Sequence, residues 1–346
     1  MKGILKGAFL LVLFFVVVFP PEYGTFAQET DLLATKATIK VVTLSVLEKH
    51  LVENIGSDQV SVTSILGPSE NPFGYSPSAA EITAVAEADI LFAADLFYLL
   101  TQSYTFVWLP GLLNASGNTD LIQVDLSRNV TVGIDPVMNQ PNFHTWTDPR
   151  NIHIMVEDIA DELTKLDGGN ENLYAANLDA YQSQIDQLVT AITAKAAPYN
   201  GTKVVTVSSQ AWYLLDLIGF EKVGQLVLTS AAQVTAADIE NIISIIEEQG
   251  IKILVNDYAG PKPDGVNTII EDTGVKEIVF ESDVGAGKTY LEMIEGNVES
   301  LVEAVEESEE TDDNGIPGFD WNLTIIGIFF YSLIALFYTK KRITKA

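Results

Sequence analysis

From Ile39 onward, short runs of β-branched and other apolar residues alternate with stretches in which apolar positions recur every three or four residues. Runs of the first kind read as strands buried on both faces, the second as amphipathic helices, and their alternation predicts βαβ units around parallel sheets. Two blocks emerge. The first has strands over Ile39–Thr43, Val60–Leu66, Ile90–Ala93 and Leu121–Val124, with helices near Ser45–Asn54 and Ser78–Glu87. The second has strands over Lys203–Val207, Lys222–Val227, Ile251–Val255 and Glu277–Phe280. Between them Asn170–Ala197 keeps helical periodicity without Pro or Gly until its end, predicting one helix of about 28 residues and roughly 40 Å. The expected fold class is therefore α/β, with two α/β lobes, residues 28–168 and 199–305, joined by a long rigid helix over 169–198. An amphipathic helix near Thr289–Val305 closes the second lobe. Residues 306–320, rich in Glu, Asp and Gly, then predict a solvated, self-repelling stalk.

The two ends set the compartment. Residues 1–27 place Lys2 and Lys6 before an apolar run from Ala8 to Phe19 and end in Thr25-Phe26-Ala27, the pattern of a secretory signal peptide with a small-residue cleavage site. A retained N-terminal anchor is the alternative, and either exports the body. Residues 321–339 are 19 uncharged residues, which as a helix would span about 28 Å, close to a bilayer core. Trp321 and Tyr338 stand at interfacial positions, and the basic tail 340–346 carries Lys340, Lys341, Arg342 and Lys345 on what the positive-inside rule makes the cytoplasmic side. The expected arrangement is an extracellular body tethered by one C-terminal transmembrane helix.

Composition sharpens this picture. Of 346 residues, 47 are Asp or Glu and 19 Lys or Arg, a net charge of −28, and the basic residues at the two ends leave the body more acidic still. A nucleic-acid partner held through a basic face is excluded, and cations are the more natural partners. The chain has no Cys, which removes disulfides, thiolate metal ligands and thiol nucleophiles. Asn114, Asn129 and Asn200 open N-x-Ser/Thr sequons, and sequons, anchor and acidity together suit an archaeal cell surface. No HExxH or GxSxG string occurs, so no enzymatic activity is expected.

Specific strings narrow the reading. Residues 67–78, GPSENPFGYSPS, resemble the first metal loop of the zinc and manganese receptors of ABC-type importers, where DPHxYxPxPS is usual. Residues 143–151, FHTWTDPRN, resemble that family's PHxWxDPRN element. Val107-Trp108-Leu109, the Asn256–Lys262 turn and Thr289-Tyr290-Leu291-Glu292-Met293 add further similarity, in the same order, over nearly all of Ile39–Val305. The resemblance implies a metal-receptor-type periplasmic binding protein fold, capture of a divalent metal ion in the cleft between lobes, and delivery to an ABC permease driven by a separate ATPase.

The resemblance also implies where the ligands fall. The family's first His is Phe73 here, its second is His144, and its third becomes Ser209 or Ser208. A carboxylate after the third strand of the second lobe aligns with Asn256, and the final Asp with Asp283. The implied metal site is His144, Asp283, Asn256 and Ser209, with Glu281 as a nearby oxygen. One His and one Asp are fewer strong donors than zinc usually takes, so a harder, more weakly held ion is one possibility. Another is a small organic ligand between apolar walls formed by Phe73, Trp212 and Tyr258. A third is a surface or adhesion scaffold without a cleft ligand. Ser282–Thr289 approximates a phosphate-binding loop but has Ser where the first Gly belongs. His50 and His153 read as surface or packing residues.

Overall fold

The structure, a computed structural model, describes residues 38–312 apart from 69, 71, 73, 102–105, 228–233, 259, 260 and 286. The signal segment 1–27, the anchor 321–339, the tail 340–346 and Phe73 lie outside the described residues. Among those described, no helix is long and apolar enough to cross a membrane.

All eight expected strands form. β1 (Ile39–Thr43), β2 (Val60–Ser64), β3 (Ile90–Ala93) and β4 (Ile122–Asp125) make a parallel sheet in the order β2-β1-β3-β4. Val41 pairs with Val62 on one side and Ile90 on the other. β5 (Lys203–Thr206), β6 (Glu221–Gln225), β7 (Ile253–Asn256) and β8 (Lys276–Val279) repeat the arrangement as β6-β5-β7-β8. Parallel pairing requires a crossover after each strand, and the helices that supply it cover the sheets and explain the uninterrupted apolar runs.

Local chemistry fixes the helix starts. Ser45 and Glu48 form a reciprocal capping box at α1 (Val46–Gly56), as do Ser78 and Glu81 at α2 (Ala79–Glu87). Two short helices follow, α3 (Leu96–Thr101) and α4 (Leu109–Ser116). Asp148 caps α5 (Pro149–Leu166) by accepting from the Arg150 N–H, with Pro149 at the first helical position. The long helix, α6, runs Glu171–Ala196 with a short 3-10 turn at each end. The second lobe adds α7 (Trp212–Leu217), α8 (Ala236–Gln249), α9 (Val266–Thr273) and α10 (Tyr290–Asp312).

α10 overruns its expected end at Val305, so residues 306–312 are helical and the expected stalk cannot begin at 306. No Gly or Pro interrupts this stretch, its glutamates favour helix, and the helix is held to the lobe by Tyr199 to Glu306 (2.6 Å) and by the Lys276–Glu307 ion pair.

The lobes share one core. Leu51 and Ile55 of α1, Ile152 and Ile159 of α5, Tyr181 and Ile185 of α6, and Ile294 and Leu301 of α10 are buried in a single cluster with residues of both sheets. Smaller clusters fill the outer side of each lobe. Separating the lobes would expose this shared cluster, to which α1, α5, α6 and α10 all contribute.

Candidate functional site

A cavity of about 420 Å³ lies between the lobes. Its wall is built from residues just past the strand ends: Leu44 after β1, Ala94 and Asp95 after β3, Ser208 after β5, Val227 after β6, Tyr258 after β7 and Asp283 after β8. The carboxyl ends of parallel strands are where chain crossovers leave a crevice, so the sheet topology itself creates the site.

His144 lies on this wall, on the segment leading into α5. Its backbone N–H donates to Asn142 Oδ1 at 2.9 Å, and its Nδ1 lies 2.8 Å from the same oxygen. The ring meets Trp146 edge-on at 5.3 Å between centroids. Trp146 Nε1 in turn donates to the Ser282 carbonyl at 2.9 Å, bringing the turn after β8, and with it Asp283, against the His144 segment. Burial pushes the imidazole down to about 4, with the Lys222 charge acting the same way and Asp135 opposing. His144 is neutral at physiological pH, the form in which imidazole binds a cation.

Asp283 also lines the cavity; burial raises its carboxyl above the usual range although the Val284 N–H donates to Oδ1 at 2.8 Å. Ser209 brings its hydroxyl to 3.4 Å from His144 Nδ1. His144, Asp283 and Ser209, from three separate segments, thus share one cavity, with Tyr258 among its apolar walls.

Two residues expected at the cleft lie elsewhere. Asn256, the last residue of β7, turns its amide to Glu277 Oε1 at 2.8 Å and does not line the cavity. Its neighbour Asp257 is buried and accepts from the backbone N–H groups of Ser208 (2.5 Å) and Ala211 (2.9 Å), which shapes the turn carrying Ser209. Trp212 packs on Tyr213 at 4.6 Å and covers Gly133, where a Cβ would stand 2.5 Å from its ring. That close approach uses the indole as a lobe contact and removes it from the wall. Glu281 pairs with Lys288 at 2.6 Å, so the lysine of the phosphate-loop-like string is already occupied.

Three cavity residues are not legible in the sequence. Glu48 accepts from Leu44, Ser45 and Ala94 N–H groups, yet burial still raises it to about 7. Asp95 is raised to about 7 by burial, with the charges of Asp125 and Glu48 adding to it. It also has positive φ (53°) and a buried Oδ2 without a hydrogen-bond partner. Asn142, buried, accepts from the His144 backbone N–H and faces its ring. Only Glu48 has a local signal, its place three residues after Ser45, and that points to a helix cap.

Among the described residues no group of three or more His, Asp or Glu comes together closely enough to hold a metal ion. His144, Asp283, Glu48 and Asp95 all line the cavity.

A profile of the family described as "Zinc-uptake complex component A periplasmic" matches residues 41–304, and the chain belongs to that family. The manganese-binding lipoprotein MntA of Halalkalibacterium halodurans is 26% identical over 81% of this chain and 92% of its own length. The zinc-binding protein TroA of Treponema pallidum is 23% identical over 77% of this chain and 88% of its own. Among solved structures, an Mn-bound periplasmic metal binding protein from Candidatus Liberibacter asiaticus superposes with a TM-score of 0.64 at 18% identity, covering 78% of this chain and 100% of that one. The laminin-binding adhesin Lmb from Streptococcus agalactiae, 22% identical, gives 0.65 over 77% of this chain and 99% of that one. At these identities the structural likeness speaks for the fold.

Proposed function

We propose that the chain is the solute-binding component of an ABC-type importer, holding a divalent cation of the zinc and manganese class in the cleft between its lobes. The observation that carries this reading is the convergence of neutral His144, Asp283 and Ser209 on one interlobe cavity, in a chain of this family. His144 and Asp283 are the protein's ligands and Ser209 an ancillary oxygen. With no group of three or more such donors gathered among the described residues, the ion stays partly hydrated and is held more weakly than in a closed cage.

The body stands on the extracellular face. The export signal in 1–27 and the uncharged stretch 321–339 with its basic flank support delivery and tethering there. Its partners are a membrane permease, which meets the outer faces of the lobes, and a separate ATPase. A second reading draws on the cavity itself: about 420 Å³ with Tyr98, Phe106, Val227 and Tyr258 on its walls is more room than a bare ion fills, which suits a small organic ligand.

Thermal shifts of the full chain across manganese, zinc, iron, cobalt and calcium test the two readings. Stabilisation by one or more ions that is lost in His144→Ala supports the metal receptor. No stabilisation by any of them turns the search to an organic ligand or to a surface partner that uses no cleft ligand.

A further inference from the structure

We infer that Asn142 is the positioning residue of the cleft, locking His144 in the tautomer that carries its proton on Nδ1 and presents the Nε2 lone pair to the cargo. The functional half of this statement rests on the cleft being the cargo site.

The orientation of a carboxamide is settled by partners that have no choice of role. Asn142 Oδ1 faces the His144 backbone N–H at 2.9 Å, which can only donate. Asn142 Nδ2 faces the Ser209 carbonyl at 2.8 Å, which can only accept. Flipping the amide would set donor against donor and acceptor against acceptor at a residue that is 3% exposed, where water cannot repair the mismatch. Oδ1 is therefore fixed opposite His144 Nδ1 at 2.8 Å, and as an acceptor it requires Nδ1 to be protonated. A neutral imidazole with Nδ1–H has its lone pair on Nε2. Among the described residues no hydrogen bond to Nε2 of His144 is found, and the ring lines the cavity.

Asn142 is itself held on several sides. Its carbonyl accepts from the Tyr213 hydroxyl at 2.6 Å, and its N–H donates to the Gly133 carbonyl at 2.9 Å. Asp135, whose Oδ1 accepts from the Val137 and Met138 N–H groups, places Oδ2 3.5 Å from Asn142 Nδ2 and 2.6 Å from Lys222 Nζ. Asn142 and Asp135 belong to the segment between β4 and α5, whereas Ser209, Tyr213 and Lys222 belong to the other lobe. Of the two bonds that orient the amide, the one to the Ser209 carbonyl crosses between lobes and the one from the His144 N–H does not. Separating the lobes there would break the Ser209 bond and leave the amide held by the His144 N–H alone, so part of what sets the tautomer of His144 is tied to lobe contact.

The chain has three histidines, which makes the test direct: 15N-histidine labelling of the metal-free full chain in detergent, with ring signals assigned through His50→Gln and His153→Gln. The wild type shows Nδ1 protonated and Nε2 bare at His144. Asn142→Ala shows a mixed or reversed tautomer, together with about 10–100-fold weaker binding of Mn²⁺ or Zn²⁺ in competition with a chelating dye. Asn142→Asp, which still accepts from both His144 donors, restores the Nδ1–H form and binds more tightly than Asn142→Ala. A wild-type His144 protonated on Nε2 overturns the inference. So does an Asn142→Ala variant that changes tautomer without losing affinity, loses affinity without changing tautomer, or changes neither. A wild type that binds neither ion refutes the metal-receptor reading instead, and the tautomer assignment is then decided by the metal-free spectrum alone.

Discussion

Tyr290, the first residue of α10, donates its hydroxyl to the carbonyl of Trp146 at 2.9 Å, joining the last helix of one lobe to the segment that carries His144 in the other. Tyr290 is fully buried, and burial raises its phenol well above the usual range. The hydroxyl stays protonated and can only serve as this donor while the ring packs in the shared core. Tyr290→Phe removes the bond and leaves the part-buried Trp146 carbonyl without this donor, at an expected cost of about 0.5–1.5 kcal/mol in denaturant unfolding. An unchanged midpoint and slope would show that the Tyr290–Trp146 bond does not hold the lobes.

Lys222 and Asp135 form an ion pair of 2.6 Å with side chains 0% and 2% exposed. Removing one member strands the other charge in the interior, so Lys222→Met is expected to cost about 3–5 kcal/mol. In the double variant Lys222→Met, Asp135→Leu part of that loss returns, because no unpaired charge remains. A double-mutant cycle in urea reads the coupling directly. Additive single effects would mean the pair does not act as a unit.

Glu48 and Asp95 give the fold a pH dependence of a particular sign. Both carboxyls are raised to about 7 by burial, whereas in the unfolded chain they titrate near 4. Between those values the native state binds more protons than the unfolded state, so stability falls as pH rises. The metal-free protein is thus expected to be more stable at pH 5 than at pH 8 through these two groups, and Asp95→Asn flattens part of the slope. Thermal melts of both proteins across this range check it; equal slopes would show that Asp95 does not titrate with folding.

Most of the architecture is legible in the chain because both sheets are parallel and covered, so that strands such as Ile90–Ala93, buried throughout, stand out as apolar runs between polar turns. The cleft is less legible. Side chains alternate across a strand, so which of Asn256 and Asp257 faces inward depends on where the strand ends, a matter of register that composition does not reveal. Trp212 reads as a cavity wall by residue type, yet Gly133, 79 positions away in the chain, leaves a space that the indole fills. Asn142 is silent in the sequence because an amide two residues before a histidine carries no signal until Ser209 and His144 are seen to hold its two ends.

The central claim is that the cavity holds a divalent cation through His144 and Asp283. It is tested most directly by elemental analysis of the full chain purified without chelator, alongside His144→Ala and Asp283→Ala. The account predicts close to one equivalent of manganese or zinc in the wild type, with occupancy lost in both variants while their folds persist by circular dichroism. A wild type that carries no divalent metal, or variants that keep it in full, would contradict the claim.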